Sequence, residues 1–371
     1  MERMILETIS VILTGVHFGI PLLYYAYLKH MYLNKPWNVK QIKNYKRRVT
    51  IIVPTYNEAK LIREKLDNIA AQSYPRELFE LIVIDSASSD GTPEIVKEWA
   101  KEHPEIELKL IQESVRQGMA YALNKALQVA TGEVVVVTDA DCKWLDKRTL
   151  EEVLSLLSDP SIGAVTCPKI PSSNGPIEIE KSYRDFYNVV RIAESKAWAT
   201  PIFHGELAAF KKSLLEEVGG FPAFMGSGEN YAATLIALKG YRAIAFEKIK
   251  CSEIIPKKDY HKWRIRRAQH LIQHFTKFIR YIGTAPERFR LILLANAYLH
   301  LVNPWLLVAA MVMLVYESVT VAPLAIALLL LGAFSLLCKP YRTWIAMQLY
   351  LVAAAVRNLW TKDILWEKQV K

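Results

Sequence analysis

Residues 133–141 read Glu-Val-Val-Val-Val-Thr-Asp-Ala-Asp, and the whole architecture follows from this stretch. Four β-branched residues in a row, with no polar alternation, describe a strand covered on both faces, the signature of a parallel sheet inside an α/β domain. The run stops on two carboxylates, Asp139 and Asp141. Working outward, residues 49–53 (Val-Thr-Ile-Ile-Val) form a second such run, followed by Pro54, Thr55, Tyr56, Asn57 and Glu58. Residues 81–85 form a third, ending at Asp85, and 106–111 are a further strand candidate. Helical patterns separate them: Ile62, Leu66 and Ile69 recur at helical spacing, Gly91-Thr92-Pro93 opens a helix, and 118–130 reads as another. Alternating strand and helix predicts a mostly parallel sheet, whose ligands bind at the carboxyl ends of the strands. Thr55, Tyr56, Glu58, Asp85, Asp139 and Asp141 all fall at such ends.

The rest of the 371 residues is organised by hydropathy and charge. The chain is 52% hydrophobic and 23% charged, with a net charge of +10 and a mean hydropathy of +0.11, which excludes disorder. Four cysteines without paired spacing exclude a disulfide scaffold and agree with a reducing compartment. Stretches free or nearly free of charge predict membrane spans near 6–28, 293–315 and 319–338. Residues 29–48 carry seven Lys or Arg and no acid, which places the intervening domain on the cytoplasmic side of a multi-pass protein of the cell membrane. The pattern predicts an anchor over 1–30, a catalytic domain over 45–255, basic interfacial helices over 256–290, a transmembrane hairpin over 291–340, and an interfacial helix and tail over 341–371 held by Trp344, Trp360 and Trp366.

Paired carboxylates at the tip of a buried strand repel unless a cation compensates. Asp139 and Asp141 therefore point to a hard divalent metal, Mg or Mn, whose remaining shell is water and substrate phosphate. Asp85 suits the N–H edge of a nucleobase, with Asp90 left to cap the following helix. Lys and Arg dominate 248–280, and Arg264, Arg266 and Arg267 fit either a pyrophosphate clamp or a face toward anionic lipid. No nucleic-acid-binding module is visible, and nothing in the pattern specifies an oligomer.

With these residues in order, the chain over 49–273 resembles glycosyltransferase family 2, the inverting GT-A enzymes that include cellulose, chitin and hyaluronan synthases and dolichyl-phosphate mannose synthase. Residues 53–58 look like the family's nucleotide loop. Asp85 with 90–92 looks like its base-binding segment, and Asp139-Ala140-Asp141 like its metal motif. Residues 205–210 with 219–221 resemble its acceptor-side segment. The resemblance implies a GT-A fold, a nucleoside-diphosphate sugar donor (UDP preferred to GDP) and one in-line displacement at the anomeric carbon. Donor contacts are expected from Pro54, Thr55, Tyr56, Glu58, Asp85, Asp139, Arg264, Arg266 and Arg267, and metal contacts from Asp139, Asp141 and His204. Glu229 is the expected base, with Glu206 as its substitute. Three departures stand out. Asn230 occupies the place of the family's usual second acid, only Arg266 remains of the processive enzymes' Gln-x-x-Arg-Trp motif, and Met119 follows Gly118. They favour single transfer to a lipid-linked acceptor over processive polysaccharide synthesis, with a silent nucleotide-sugar-binding relative as a third reading.

Overall fold

The computed structural model describes residues 2–172, 177–223, 226, 228–320 and 322–361. A long apolar helix, α1 (Glu2–Leu28), leads into the α/β fold. There β1 (Val49–Thr55), α2 (Ile62–Ala70), β2 (Phe79–Ser86), α3 (Thr92–Glu102), β3 (Glu107–Glu113), α4 (Met119–Val129) and β4 (Val134–Val137) follow in the expected alternation. β1 pairs in parallel with both β2 and β4, and β2 with β3. The four valines of β4 show why the run is unbroken: Val135 and Val137 join the core under α4, while Val134 and Val136 join the opposite core with α2 and α3. Pro54 does not end β1. Pairing with β4 stops at Ile52, so beyond it one edge of the strand needs no N–H donor and proline is tolerated.

The second half departs from simple alternation. α5 (Thr149–Leu157), β5 (Ile162–Thr166), β6 (Lys169–Ser172), α6 (Ile177–Ala197), β7 (Ala208–Lys211), α7 (Lys212–Glu217), α8 (Gly228–Leu238), β8 (Arg242–Ala245) and β9 (Cys251–Ile254) complete the domain. Among the described residues the large sheet has seven strands in the order β3-β2-β1-β4-β7-β5-β8, with β6 and β9 forming a separate parallel pair. This is the mixed α/β, Rossmann-like GT-A fold. β7 alone runs antiparallel, to both β4 and β5. It therefore begins where β4 ends and delivers residues 203–207 to the carboxyl edge, beside Asp139.

The basic segment forms α9 (Tyr260–Phe278), followed by α10 (Glu287–Ala297), α11 (Asn303–Val319), α12 (Pro323–Ser335) and α13 (Lys339–Arg357). Among the described residues two helices are long and apolar enough to cross a membrane: Met4–Leu33, and Glu287–Val319, in which a π-turn (Tyr298–Val302) joins α10 to α11. The expected span at 319–338 is not a single straight helix. α12 is 13 residues, about 20 Å, short of the roughly 30 Å hydrocarbon core, and α13 departs from it at 105°. Pro340, in the first turn of α13, helps place the break. α13 then packs on α6, α9 and α11. Trp344 does not sit as a surface anchor: its indole Nε1 donates to His17 Nε2 of α1 at 3.1 Å. Trp360 is exposed, and Trp366 lies outside the described residues. Tyr24 of α1 donates to Glu194 of α6 at 2.8 Å, tying the first apolar helix to the catalytic domain.

Candidate active site

The carboxyl edge of the sheet opens into a cavity of about 300 Å³ that continues between α6, α9 and α13. Its sheet end is lined by Pro54, Thr55, Tyr56 and Glu58 after β1, and by Asp139 and Asp141 after β4. His204, Glu229, Arg264, Arg266 and Arg267 also face it. Of the residues expected from sequence, Asp85 and Glu206 alone are not on its wall.

Asp139 and Asp141 are carboxylates of the kind a hard cation takes, and both line the cavity. Among the described residues no group of three His, Cys, Asp or Glu is assembled as a metal cage, so two carboxylates would leave most of the shell to phosphate and water, the usual arrangement for Mg or Mn. The backbone at 205 is shaped around the first of them. Gly205 O accepts from Asp139 N at 2.8 Å, and a Cβ on Gly205 would stand 2.7 Å from Asp139 Oδ2. Only glycine leaves that carboxylate its place. Lys65, almost fully buried in α2, donates to Cys142 O at 3.2 Å and holds the turn behind the two aspartates.

His204 is not available as a metal ligand here. It is buried, and its Nε2 accepts from Arg191 Nη1 at 2.6 Å, which fixes the ring proton on Nδ1. Burial, with Lys169 and Arg191 nearby, holds its pKa well below the ordinary histidine value. Asp85 also has a structural task that the sequence does not reveal. It is buried and accepts from Thr55 Oγ1 at 2.9 Å, Ser88 Oγ at 2.5 Å and Ser88 N at 2.9 Å, so it fastens the end of β1 to the turn after β2.

The three residues nearest the acceptor end differ sharply. Glu206 Oε1 is 2.5 Å from Lys169 and 3.7 Å from Arg267 in a buried ion network, its Oε2 has no hydrogen-bond partner, and the residue is not on the cavity wall. Asn230 Oδ1 accepts from Phe203 N at 2.6 Å, so the amide in the place of the family's second acid secures the 203–207 turn. Glu229, the first acid of α8, is buried and its Oε1 has no hydrogen-bond partner. Burial, and then the negative Asp139, push its pKa up to about 8. Such a carboxyl gives up and regains a proton near neutrality, as a general base must.

Sequence reasoning misses most of the ion network. Lys169 of β6 reaches Glu253 of β9 at 3.1 Å, and Arg184 holds Glu253 through two nitrogens at 2.9 and 3.0 Å. Arg267 also bonds Glu253. Burial would raise the Glu253 pKa, but these three cations hold it well below the usual carboxylate range. Arg264 lies 3.3 Å from Glu180, with its guanidinium 4.2 Å from the Tyr183 ring centre. Arg264 and Arg267 thus face the cavity while anchored from behind, and Arg266 lines the wall between them. The missed signal was periodic: Glu180, Arg184, Tyr187, Arg191 and Glu194 occur at helical spacing on α6, and all are buried.

A model of the family described as "Glycosyl transferase family 2" matches residues 50–219. The chain is 55% identical to the mannosyltransferase PcManGT from Pyrobaculum calidifontis, solved in complex with GDP-Man and Mn2+; the match covers 96% of this chain and 99% of that one, with a TM-score of 0.88. The poly-beta-1,6-N-acetyl-D-glucosamine synthase of Staphylococcus epidermidis is 26% identical over 264 residues, 70% of this chain and 63% of that protein. The glycosyltransferase AglE of Haloferax volcanii is 29% identical over 181 residues, 48% of this chain and 58% of the relative. The chain therefore spans less than two thirds of the length of these last two proteins.

Proposed function

The chain belongs to glycosyl transferase family 2, and on that premise we propose that this glycosyltransferase moves mannose from GDP-mannose to a lipid-linked acceptor at the cytoplasmic membrane face, with a divalent cation. The observation that carries the reading is the continuity of the cavity. It runs from Asp139 and Asp141 to Tyr187 of α6, Met347 and Tyr350 of α13, and His300 on the membrane-length helix Glu287–Val319. A donor at the sheet edge and an acceptor held by a lipid would meet inside it. The 55% identity with a mannosyltransferase solved with GDP-Man and Mn2+ favours GDP-mannose over the UDP-sugar expected from sequence. The seven cations of residues 29–48 favour a cytoplasmic domain.

In the mechanism, Asp139 and Asp141 would hold the cation, Mn or Mg, which supplies positive charge against the donor diphosphate. Arg266, with Arg264 and Arg267, stabilises the charge that grows on the departing diphosphate. Tyr56 and Thr55 bound the nucleotide side. Glu229 Oε1 takes the proton of the acceptor hydroxyl as that oxygen bonds to the anomeric carbon and the bond from that carbon to the diphosphate oxygen breaks. Arg191 occupies the His204 Nε2 lone pair, so His204 does not compete for that proton. One transfer per acceptor follows from Asn230 and the incomplete processivity motif.

The test is GDP release by the full chain in detergent with GDP-mannose, Mn and a lipid extract, read together with product mass. Lipid-dependent release and a gain of one mannosyl unit are expected. Polymer formation would replace single transfer with processive synthesis. Nucleotide binding without turnover on any sugar or lipid would make the chain a silent relative.

A further inference from the structure

We infer that Glu113, the last residue of β3, reads the nucleobase of the donor and selects guanine; this rests on the GDP-sugar reading above. Neighbouring residues of a strand face opposite sides of a sheet, and residues paired in parallel register share a side. Ile82 and Ile84 of β2 join the core under α4, whereas Leu81 and Val83 join the core with α2 and α3. Ser86 continues the first row and Asp85 the second. Ser86 is paired with Glu113, and Ile111, two residues before Glu113, also packs on the α4 side. Ser86 and Glu113 therefore project together toward the side of the cavity, and Ser86 is part of its wall. Asp85 projects the other way and already receives three hydrogen bonds.

Glu113 is 6% exposed. Its Oε2 accepts from Ser86 Oγ at 2.7 Å, and its Oε1 is buried with no partner. A buried carboxylate oxygen without a donor is costly, so this atom calls for an N–H from a ligand. Three residues further along the chain, the Arg116 guanidinium lies 3.9 Å from the centre of the Tyr56 ring, and both residues line the cavity. The pair offers a flat surface on which a base can stack. A base lying there and entering edge-first past Ser86 meets the carboxylate. Guanine presents N1–H and N2–H side by side, two donors matched to a carboxylate. Uracil presents one N–H between two carbonyl oxygens, which the carboxylate repels. The site is thus built to reject the base that lacks the second donor.

The assignment is tested by calorimetric binding of GDP, IDP and UDP, each with Mn, to the full chain in detergent. IDP retains N1–H and lacks the amino group. The wild type is expected to bind GDP about tenfold tighter than IDP and about a hundredfold tighter than UDP. Glu113→Gln should weaken GDP by roughly thirtyfold or more, leave UDP within about threefold, and bring GDP and IDP together. Asp85→Asn should lower the melting temperature and keep the wild-type GDP to UDP ratio. If Glu113→Gln does not fold, Glu113→Asp, one methylene shorter, reads the same ratio. A preserved ratio in the folded Glu113 variant, or a collapse in Asp85→Asn alone, overturns the assignment while leaving the donor reading intact. A wild type that prefers UDP overturns both.

Discussion

Two glutamates at opposite edges of the same sheet show how the molecule divides its labour. Glu80, at the amino edge, is fully buried and accepts from Thr50 Oγ1 at 2.6 Å, Thr131 N at 2.5 Å, Thr131 Oγ1 at 2.8 Å and Lys109 Nζ at 2.7 Å. Burial would raise its pKa, but these partners outweigh it and bring it to about 2. Glu229, facing the carboxyl edge, is also buried, has an oxygen with no partner, and sits near 8. One edge satisfies its charge and contributes rigidity. The other leaves a carboxyl oxygen of Glu229 without a partner, which costs stability in the free protein and is useful only when substrate arrives.

The largest effect expected from breaking this contrast is at the aspartates. Asp141→Asn should lower GDP release from GDP-mannose by about a thousandfold, with melting essentially unchanged; near-normal turnover would remove the metal role. Glu229→Gln should cost roughly a hundredfold or more. The wild-type rate should also fall with decreasing pH through about 8, because the working form of Glu229 is the deprotonated one. A rate that stays flat across neutral and mildly alkaline pH would count against Glu229 as the base. Gly205→Ala should reduce turnover about tenfold and raise the Mn concentration needed for half-maximal rate, since its methyl group meets Asp139. The smallest effect on turnover is expected at the amino edge. Glu80→Gln should destabilise the fold by about 2 kcal/mol and leave kcat alone. Because the folded Glu80 pKa is depressed, its contribution is complete above the unfolded value of 4.5 and is lost as pH falls toward about 2. Acid-unfolding curves of wild type and Glu80→Gln should therefore converge in that window.

The parallel half of the fold was legible because β1, β2 and β4 are buried on both sides: three apolar runs at this spacing fit little besides a covered sheet, and polar residues at their ends mark the ligand edge, while the edge strand β3, with Glu107 and Lys109, is only partly buried. The strands after β4 are short, pair out of sequence order and include a reversal, none of which leaves a periodic trace. The site was legible to the level of edges but not of faces. Asp85 was located at the correct edge, yet its carboxylate is taken up by Thr55 and Ser88, and it is Ser86 beside it that lies on the cavity wall. α6 misleads for another reason. Its acids and arginines neutralise one another inside the protein, so a stripe that reads as solvated is buried. The final apolar stretch has the composition of a span, but its helix ends at Ser335 after 13 residues, and Pro340 opens α13 at 105° to it.

The reversal of β7 has a consequence for how such enzymes diversify. Because the 203–207 turn enters the edge from outside rather than emerging from a strand that starts there, its chain connection to the nucleotide half runs through the stretch that contains α6, while the Asp139–Gly205 bond and the β4–β7 ladder hold it in place. Substitutions in that stretch can therefore reshape the turn's approach to the cavity while leaving the β1–β4 half of the sheet untouched.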